Sequence, residues 1–92
     1  MYGVLVKVSI KDGRGDEAVK ALNEMLVPRV RSSEGFVSGQ WIHADNQTWG
    51  SGLLIFNSVE TAKAGAKAAR QLPPNPPVDI TSVEVGKVVA QA

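Results

Sequence analysis

The side chains best suited to chemistry lie in one segment of this sequence, residues 35–56. Both tryptophans, Trp41 and Trp49, and the only histidine, His43, fall within it. Side chains of a strand alternate between the two faces of a sheet, so Trp41 and His43 share one face and Trp49 takes the other. An imidazole exchanges protons near neutral pH, which makes His43 a candidate catalytic base. The alternative is a histidine that simply faces solvent at a strand end.

The glycines of this segment indicate open space beside Trp41. With a two-residue turn at Asp45-Asn46, we expect Trp41 to lie opposite Gly50 and His43 opposite Thr48. Glycine removes a side chain next to a large indole. The result is either a flat slot for an aromatic ligand or space that Trp41 fills as core. We predict that the walls of such a pocket are Val4, Val6, Trp41, Leu54 and Phe56.

The composition excludes several classes of site. Ninety-two residues with 43% hydrophobic and 21% charged content predict a single domain, residues 1–92. A net charge of +1 gives no electrostatic argument for nucleic acid or a membrane as partner. Without cysteine and with one histidine, the chain offers no metal-ligand set, so we expect no metal and no cofactor. No apolar stretch of signal type follows the N-terminus, so a cytoplasmic protein is expected.

Two basic motifs have ordinary structural explanations. The helical row of Lys63, Lys67 and Arg70 is typical of a solvated helix face, and three charges do not make a nucleic-acid footprint. Residues Gly13-Arg14-Gly15 lack the lysine and spacing of a phosphate-binding loop, which favours a turn.

The order of periodic segments predicts an α+β domain with the arrangement βαββαβ. Alternating residues indicate strands over 2–10, 36–44, 48–56 and 78–89. Helical spacing follows Asp16, and Pro28 within it predicts a kink or a different helical turn near Glu24. The alternative is a helix that ends early and is followed by a short second turn. A second helix is expected from a capping box at residues 57–60 to Leu72, followed by an extended connector, residues 73–77.

Right-handed crossovers turn this order into a ferredoxin-like fold, a four-stranded antiparallel sheet with two helices on one face. The other face then carries large apolar side chains: Leu5, Ile42, Trp49, Leu53 and Ile55. Leaving such residues in water forgoes about 1.5–3 kcal/mol for each large aliphatic side chain. We therefore expect a homodimer in which a second copy covers this face, and we assign Trp49 to that interface.

This pattern resembles the dimeric α/β-barrel superfamily, and within it the antibiotic-biosynthesis-monooxygenase-like domains. The likeness rests on Glu34-Gly35-Phe36, on Trp41 five residues later, and on residues 54–58 leading into Glu60-Thr61-Ala62. It implies that two ferredoxin-like domains dimerise into an α/β barrel. It also implies that members include cofactor-independent oxygenases of aromatic polyketides, haem-degrading enzymes and proteins without known activity.

Three residue positions test whether this chain belongs with the haem-degrading members of the family. The resemblance implies that haem-degrading members use an Asn, a Trp and a His at positions matching Val6, Phe56 and Ala66 here. Alanine cannot ligate iron, so we do not expect haem degradation.

Three function classes follow. The first is a cofactor-independent monooxygenase-like enzyme acting on a small aromatic compound, and the second is a non-catalytic dimeric module that binds such a ligand. A titratable group in a pocket beside Trp41 would favour the enzyme. The third, an RNA-binding domain with the same strand order, is disfavoured because Ser51 and Leu53 stand where stacking aromatic residues are needed.

Overall fold

The computed structural model describes all residues, 1–92, and shows one antiparallel sheet with helices on one face. The strands are β1 (Tyr2–Ile10), β2 (Phe36–His43), β3 (Trp49–Phe56) and β4 (Val78–Lys87), in the spatial order β2-β3-β1-β4. Strands β1 and β3 are therefore central, and every neighbouring pair is antiparallel. The predicted ferredoxin-like α+β fold is confirmed.

The first helical segment contains the change of helical turn that Pro28 predicts. Helix α1 (Gly15–Ala21) passes into a π-helical turn (Leu22–Leu26) and then into α2 (Val27–Arg31). Proline has no N–H to donate to the carbonyl of Glu24 in an α-helical pattern. The Val27 N–H instead donates to the carbonyl of Leu22, five residues back, which is the hydrogen bond of a π turn.

The hairpin between β2 and β3 has a longer loop than the sequence indicated. The Ala44 N–H donates to the carbonyl of Trp49 at 2.9 Å, so residues 45–48 form the loop. Asp45 and Asn46 do occupy the centre of a turn, closed by the Gln47 N–H bonding to the carbonyl of Ala44, with Gln47 itself at φ 59°. The predicted register was therefore wrong by two residues. An even shift leaves every side chain on its predicted face.

Helix α3 (Val59–Ala69) begins one residue later and ends three residues earlier than its sequence pattern suggested. Its N-cap is Ser58 rather than Asn57, and the Ser58 Oγ accepts the Thr61 N–H at 3.2 Å. The helix ends at Ala69, before the prolines, rather than at Leu72. Strand β4 likewise ends at Lys87, two residues before the predicted Val89.

The buried core occupies one end of the space between sheet and helices. Its members are the side chains with at most 9% exposure under α3: Val4, Leu54, Phe56, Ala62, Ala66 and Val83. Phe36 packs edge-on against Phe56, with ring centroids 5.7 Å apart. Because Ala62 and Ala66 are small, α3 lies close to the sheet here, and the opposite end of the same layer stays less filled.

Candidate functional site

A cavity of about 640 Å³ lies between the sheet and the first helical segment. Its floor is the helix-facing side of the sheet at Val6, Val8 and Ile80, and its roof is formed by Leu22 and Met25. Part of the cavity opens to solvent. The volume falls within the range of about 300–1,000 Å³ that is typical of small-ligand pockets, and most of the lining residues are apolar.

Two aromatic rings lie over two glycines on the wall of this cavity. The observed register pairs Trp41 with Gly52 and His43 with Gly50. A Cβ atom on Gly52 would lie 2.6 Å from Cδ1 of Trp41, and one on Gly50 would lie 2.8 Å from Cδ2 of His43. Only glycine leaves room for both rings against β3. Trp41 and His43 are both half-buried, and both line the cavity.

The structure divides the predicted pocket walls into two groups. Val6, Trp41 and Leu54 line the cavity. Val4 and Phe56 do not; their exposures are 0% and 1%, and they belong to the core under α3. The helix-facing side of the sheet was predicted as one surface, but the close approach of α3 fills one half of it and leaves the other half open.

The connector between α3 and β4 forms a wall that the sequence pattern did not indicate. Residues Leu72, Pro73, Pro76 and Pro77 line the cavity. Arg14 holds this connector, because its guanidinium donates to the carbonyls of Asn75 and Pro76 at 3.0 and 3.1 Å and to Asn75 Oδ1 at 3.2 Å.

Arg14 is itself fixed by an ion pair with Glu17. The hydrogen bond between the two side chains lowers the pKa of Glu17 and raises the pKa of Arg14. The predicted turn lies at residues 11–14, closed by the Arg14 N–H donating to the carbonyl of Lys11 at 3.0 Å, and Gly15 already begins α1. Arg14 at the end of this turn also anchors a cavity wall.

The cavity contains two groups that can carry positive charge and no carboxylate. The charged side chain is Arg29 of α2, and the second group is the imidazole of His43. Gln71 and Ser51 are uncharged polar residues that also line the cavity. Sequence reasoning missed Arg29, although its spacing from Ala18 and Leu22 follows the helical pattern and could have identified it.

The face of the sheet opposite the helices is uncovered. Four of the predicted interface residues, Leu5, Ile42, Trp49 and Leu53, are between 37% and 58% exposed, and Ile55 is half-buried. The Lys7 Nζ lies 5.3 Å from the ring centroid of Trp49, a cation–π contact that covers only part of this face.

The remaining basic and polar groups show no catalytic constellation. Lys63 and Lys67 are exposed on α3, whereas the Arg70 Nη2 donates to the carbonyl of Val83 at 2.9 Å and ties α3 to β4. No group of three or more His, Cys, Asp or Glu side chains is placed to hold a metal ion. None of the helices combines the length and apolar character needed to span a bilayer.

Comparison with known proteins gives similarity of structure only. No protein-family model and no curated protein matches the sequence. The haem degrader MhuD from Mycobacterium tuberculosis, solved with two haems in its active site, superposes with a TM-score of 0.76 at 20% identity. The alignment covers 100% of this chain and 99% of that one.

Two further solved structures share the arrangement. A candidate antibiotic biosynthesis monooxygenase from Bordetella bronchiseptica gives a TM-score of 0.69 at 11% identity, covering 97% of each chain. A monooxygenase of the ActVA-Orf6 gene from Streptomyces coelicolor, in complex with Nanaomycin D, gives 0.59 at 12% identity, covering 99% of this chain and 91% of that one. The chain therefore has the fold of the antibiotic-biosynthesis-monooxygenase-like proteins, as its sequence motifs predicted.

Proposed function

We propose that this protein is a cofactor-independent monooxygenase-like enzyme that acts on a small aromatic compound with an ionisable hydroxyl group. The observation that carries the proposal is the apolar cavity beside Trp41 with the imidazole of His43 on its wall. A titratable side chain in that position favours an enzyme over a protein that only binds a ligand.

The chemistry assigns limited tasks to the protein. His43 takes the proton of the substrate hydroxyl, and the ionised ring then donates an electron to molecular oxygen. One oxygen atom enters the ring as a carbonyl in place of two hydrogens, and the other leaves as water, so the substrate supplies all the electrons. Trp41 offers an aromatic surface for stacking, and the apolar walls exclude water from the reacting pair.

The structural neighbours support this class of reaction and not a particular substrate. The Streptomyces monooxygenase shares the fold and holds Nanaomycin D. At 12% identity the likeness concerns the backbone, so the choice of an aromatic substrate here rests on Trp41 and the cavity.

The residues of this chain do not fit a haem held from α3. At the three matching positions, Val6 lines the cavity while Phe56 and Ala66 are packed in the core at 1% and 3% exposure. Neither a ligand atom nor space for a porphyrin exists at Ala66. We therefore do not propose that this chain degrades haem in the manner of the haem-degrading members of the family.

A non-catalytic module that binds a small ligand is the second candidate. It is favoured by the close packing of Trp41 over Gly52, because that contact gives the indole a structural role without any substrate. In this case His43 would fill the space above Gly50 in the same way.

Oxygen consumption decides between the two candidates. We expect turnover on at least one member of a panel of hydroxylated polycyclic aromatics, measured with an oxygen electrode. His43→Ala should lower kcat with little change in binding, whereas Trp41→Ala should weaken binding. Turnover that is unaffected by His43→Ala removes the imidazole from the mechanism, and no turnover on any compound favours the binding module.

We also infer that the protein works as a homodimer joined through the open sheet faces. The support is the row of exposed apolar side chains on β1, β2 and β3, with Ile42 58% and Leu53 49% exposed. A two-fold interface built from the same face of each copy would bury this row.

A further inference from the structure

Arg29 occupies a position on the helix where the pattern calls for an apolar residue. Six residues of the first helical segment line the cavity, and four of them follow one another in steps of four, three and four residues: Ala18, Leu22, Met25 and Arg29. The first three are apolar. Arg29 therefore ends an otherwise apolar stripe, and it is an exposed residue on the lining of the cavity.

Nothing within the protein neutralises this guanidinium. The one ion pair of the structure joins Arg14 to Glu17, and the Arg29 guanidinium donates no hydrogen bond to another residue. The carbonyl of Arg29 accepts from Ser32 Oγ at 2.9 Å and from Ser33 Oγ at 3.3 Å. No Asp or Glu lines the cavity. The charge of Arg29 is thus available to a bound molecule.

We propose that Arg29 selects ligands that carry a carboxylate, so that the substrate is an aromatic carboxylic acid. Arginine suits this role because its planar group binds a carboxylate through two parallel hydrogen bonds. The apolar walls and Trp41 take the ring system, and Arg29 holds the anionic end. This inference rests on the proposed function for the identity of the cavity as the substrate site.

A purely structural role for Arg29 makes a different prediction. Arg29 and Arg31 both lie in the last turn of α2, where a positive charge interacts favourably with the helix C-terminus. If that were the whole role of Arg29, the two arginines would be equivalent. Arg31 does not line the cavity, so it provides a matched control of equal charge on the same turn.

The test uses a pair of fluorescent probes that differ by one anionic group, 8-anilinonaphthalene-1-sulfonate and the neutral N-phenyl-1-naphthylamine. We expect Arg29→Gln, which keeps an uncharged polar side chain, to weaken binding of the sulfonate about fivefold, or about 1 kcal/mol. Binding of the neutral probe should change less than about twofold, as should binding of both probes to Arg31→Gln. Salt should weaken sulfonate binding to the wild type more than to Arg29→Gln.

Competition identifies the anionic group. At pH 7 we expect 2-naphthoate to displace the neutral probe at lower concentration than 2-naphthol does, and Arg29→Gln to remove the difference. Three results would each overturn the inference. Arg29→Gln could weaken the binding of both probes equally, or Arg29→Gln and Arg31→Gln could have equal effects on probe binding. The third is that 2-naphthol displaces the neutral probe at lower concentration than 2-naphthoate does.

Probe binding is an equilibrium measurement that needs no oxygen. Charge selection by Arg29 without turnover would leave this inference standing and remove the enzyme proposal. Turnover without charge selection would overturn this inference and leave the enzyme proposal standing.

Discussion

Trp41 and Gly52 face each other across β2 and β3 so closely that a Cβ atom on Gly52 would lie 2.6 Å from the indole Cδ1. The nearest atoms belong to the five-membered ring, which lies close to the backbone and cannot swing aside as the end of a flexible chain can. The glycine is therefore a condition for the position of Trp41 on the cavity wall.

Gly52→Ala should destabilise the protein and displace Trp41. Overpacking of this kind costs about 1–3 kcal/mol in the free energy of unfolding. Gly86→Ala is the control, because a Cβ there would meet nothing within 4 Å, and it should stay within about 0.5 kcal/mol of the wild type. Urea denaturation followed by tryptophan fluorescence measures both, and equal stability of the two variants would contradict the packing account.

Trp49→Glu should dissociate the proposed homodimer. Trp49 is 37% exposed on the open sheet face, so a carboxylate there stays hydrated within one chain, whereas in the interface it would have to lose its water. Val19→Glu is the control, since Val19 is 44% exposed on α1. Sedimentation velocity at micromolar concentration should show a dimer for the wild type and Val19→Glu and a monomer for Trp49→Glu. A monomeric wild type would end the dimer proposal.

Arg14→Ala should loosen the connector that forms one wall of the cavity. The Lys11 N–H donates to the carbonyl of Pro77 at 2.9 Å, so its hydrogen exchange reports on the attachment of the connector to the end of β1. We expect exchange at Lys11 to be about tenfold faster in Arg14→Ala, because loss of the three hydrogen bonds to Asn75 and Pro76 should lower the local opening free energy by about 1.4 kcal/mol. Lys20→Ala, which removes an exposed charge from α1, should leave the exchange rate of the Lys11 N–H unchanged.

The contribution of Glu17 to stability should disappear in acid. The hydrogen bond from Arg14 lowers the pKa of Glu17, so the folded protein holds this proton less tightly than the unfolded chain does. The stabilisation is complete above the ordinary glutamate pKa of about 4.3 and is lost as the pH falls through the lowered value. The difference in unfolding temperature between wild type and Glu17→Gln should therefore be largest near pH 7 and vanish as the pH falls below the lowered pKa of Glu17. A constant difference at all pH values would refute the linkage.

The protein should not bind single-stranded RNA specifically at physiological salt. Ser51 and Leu53 lie on the open face of β3, where an RNA-binding sheet presents stacking aromatic side chains. Each stacked base contributes about 1–3 kcal/mol, and neither side chain has a ring to provide it. Submicromolar affinity for mixed oligonucleotides in a gel-shift titration would disprove this prediction.

The sequence determined the strand order, the helical segments and the face on which each strand side chain lies. These follow from local periods of two and about 3.6 residues, which neighbouring residues along the chain specify. Even the wrong hairpin register preserved the faces, because the error was of two residues. Pro28 likewise indicated a kink or a change of turn geometry near Glu24, since the missing N–H is a local property, and the structure shows that the change is a π turn.

Only the tertiary structure decided which apolar residues are core and which line a cavity. Phe56 and Leu54 have the same sequence pattern and both belong to the core under α3, yet only Leu54 also reaches the cavity. The contacts of Arg14 with Asn75 and the position of Arg29 over the sheet depend on distant segments meeting in space. The distance between a helix and a sheet is set by the side chains of both surfaces together, and no local pattern in one segment contains that information.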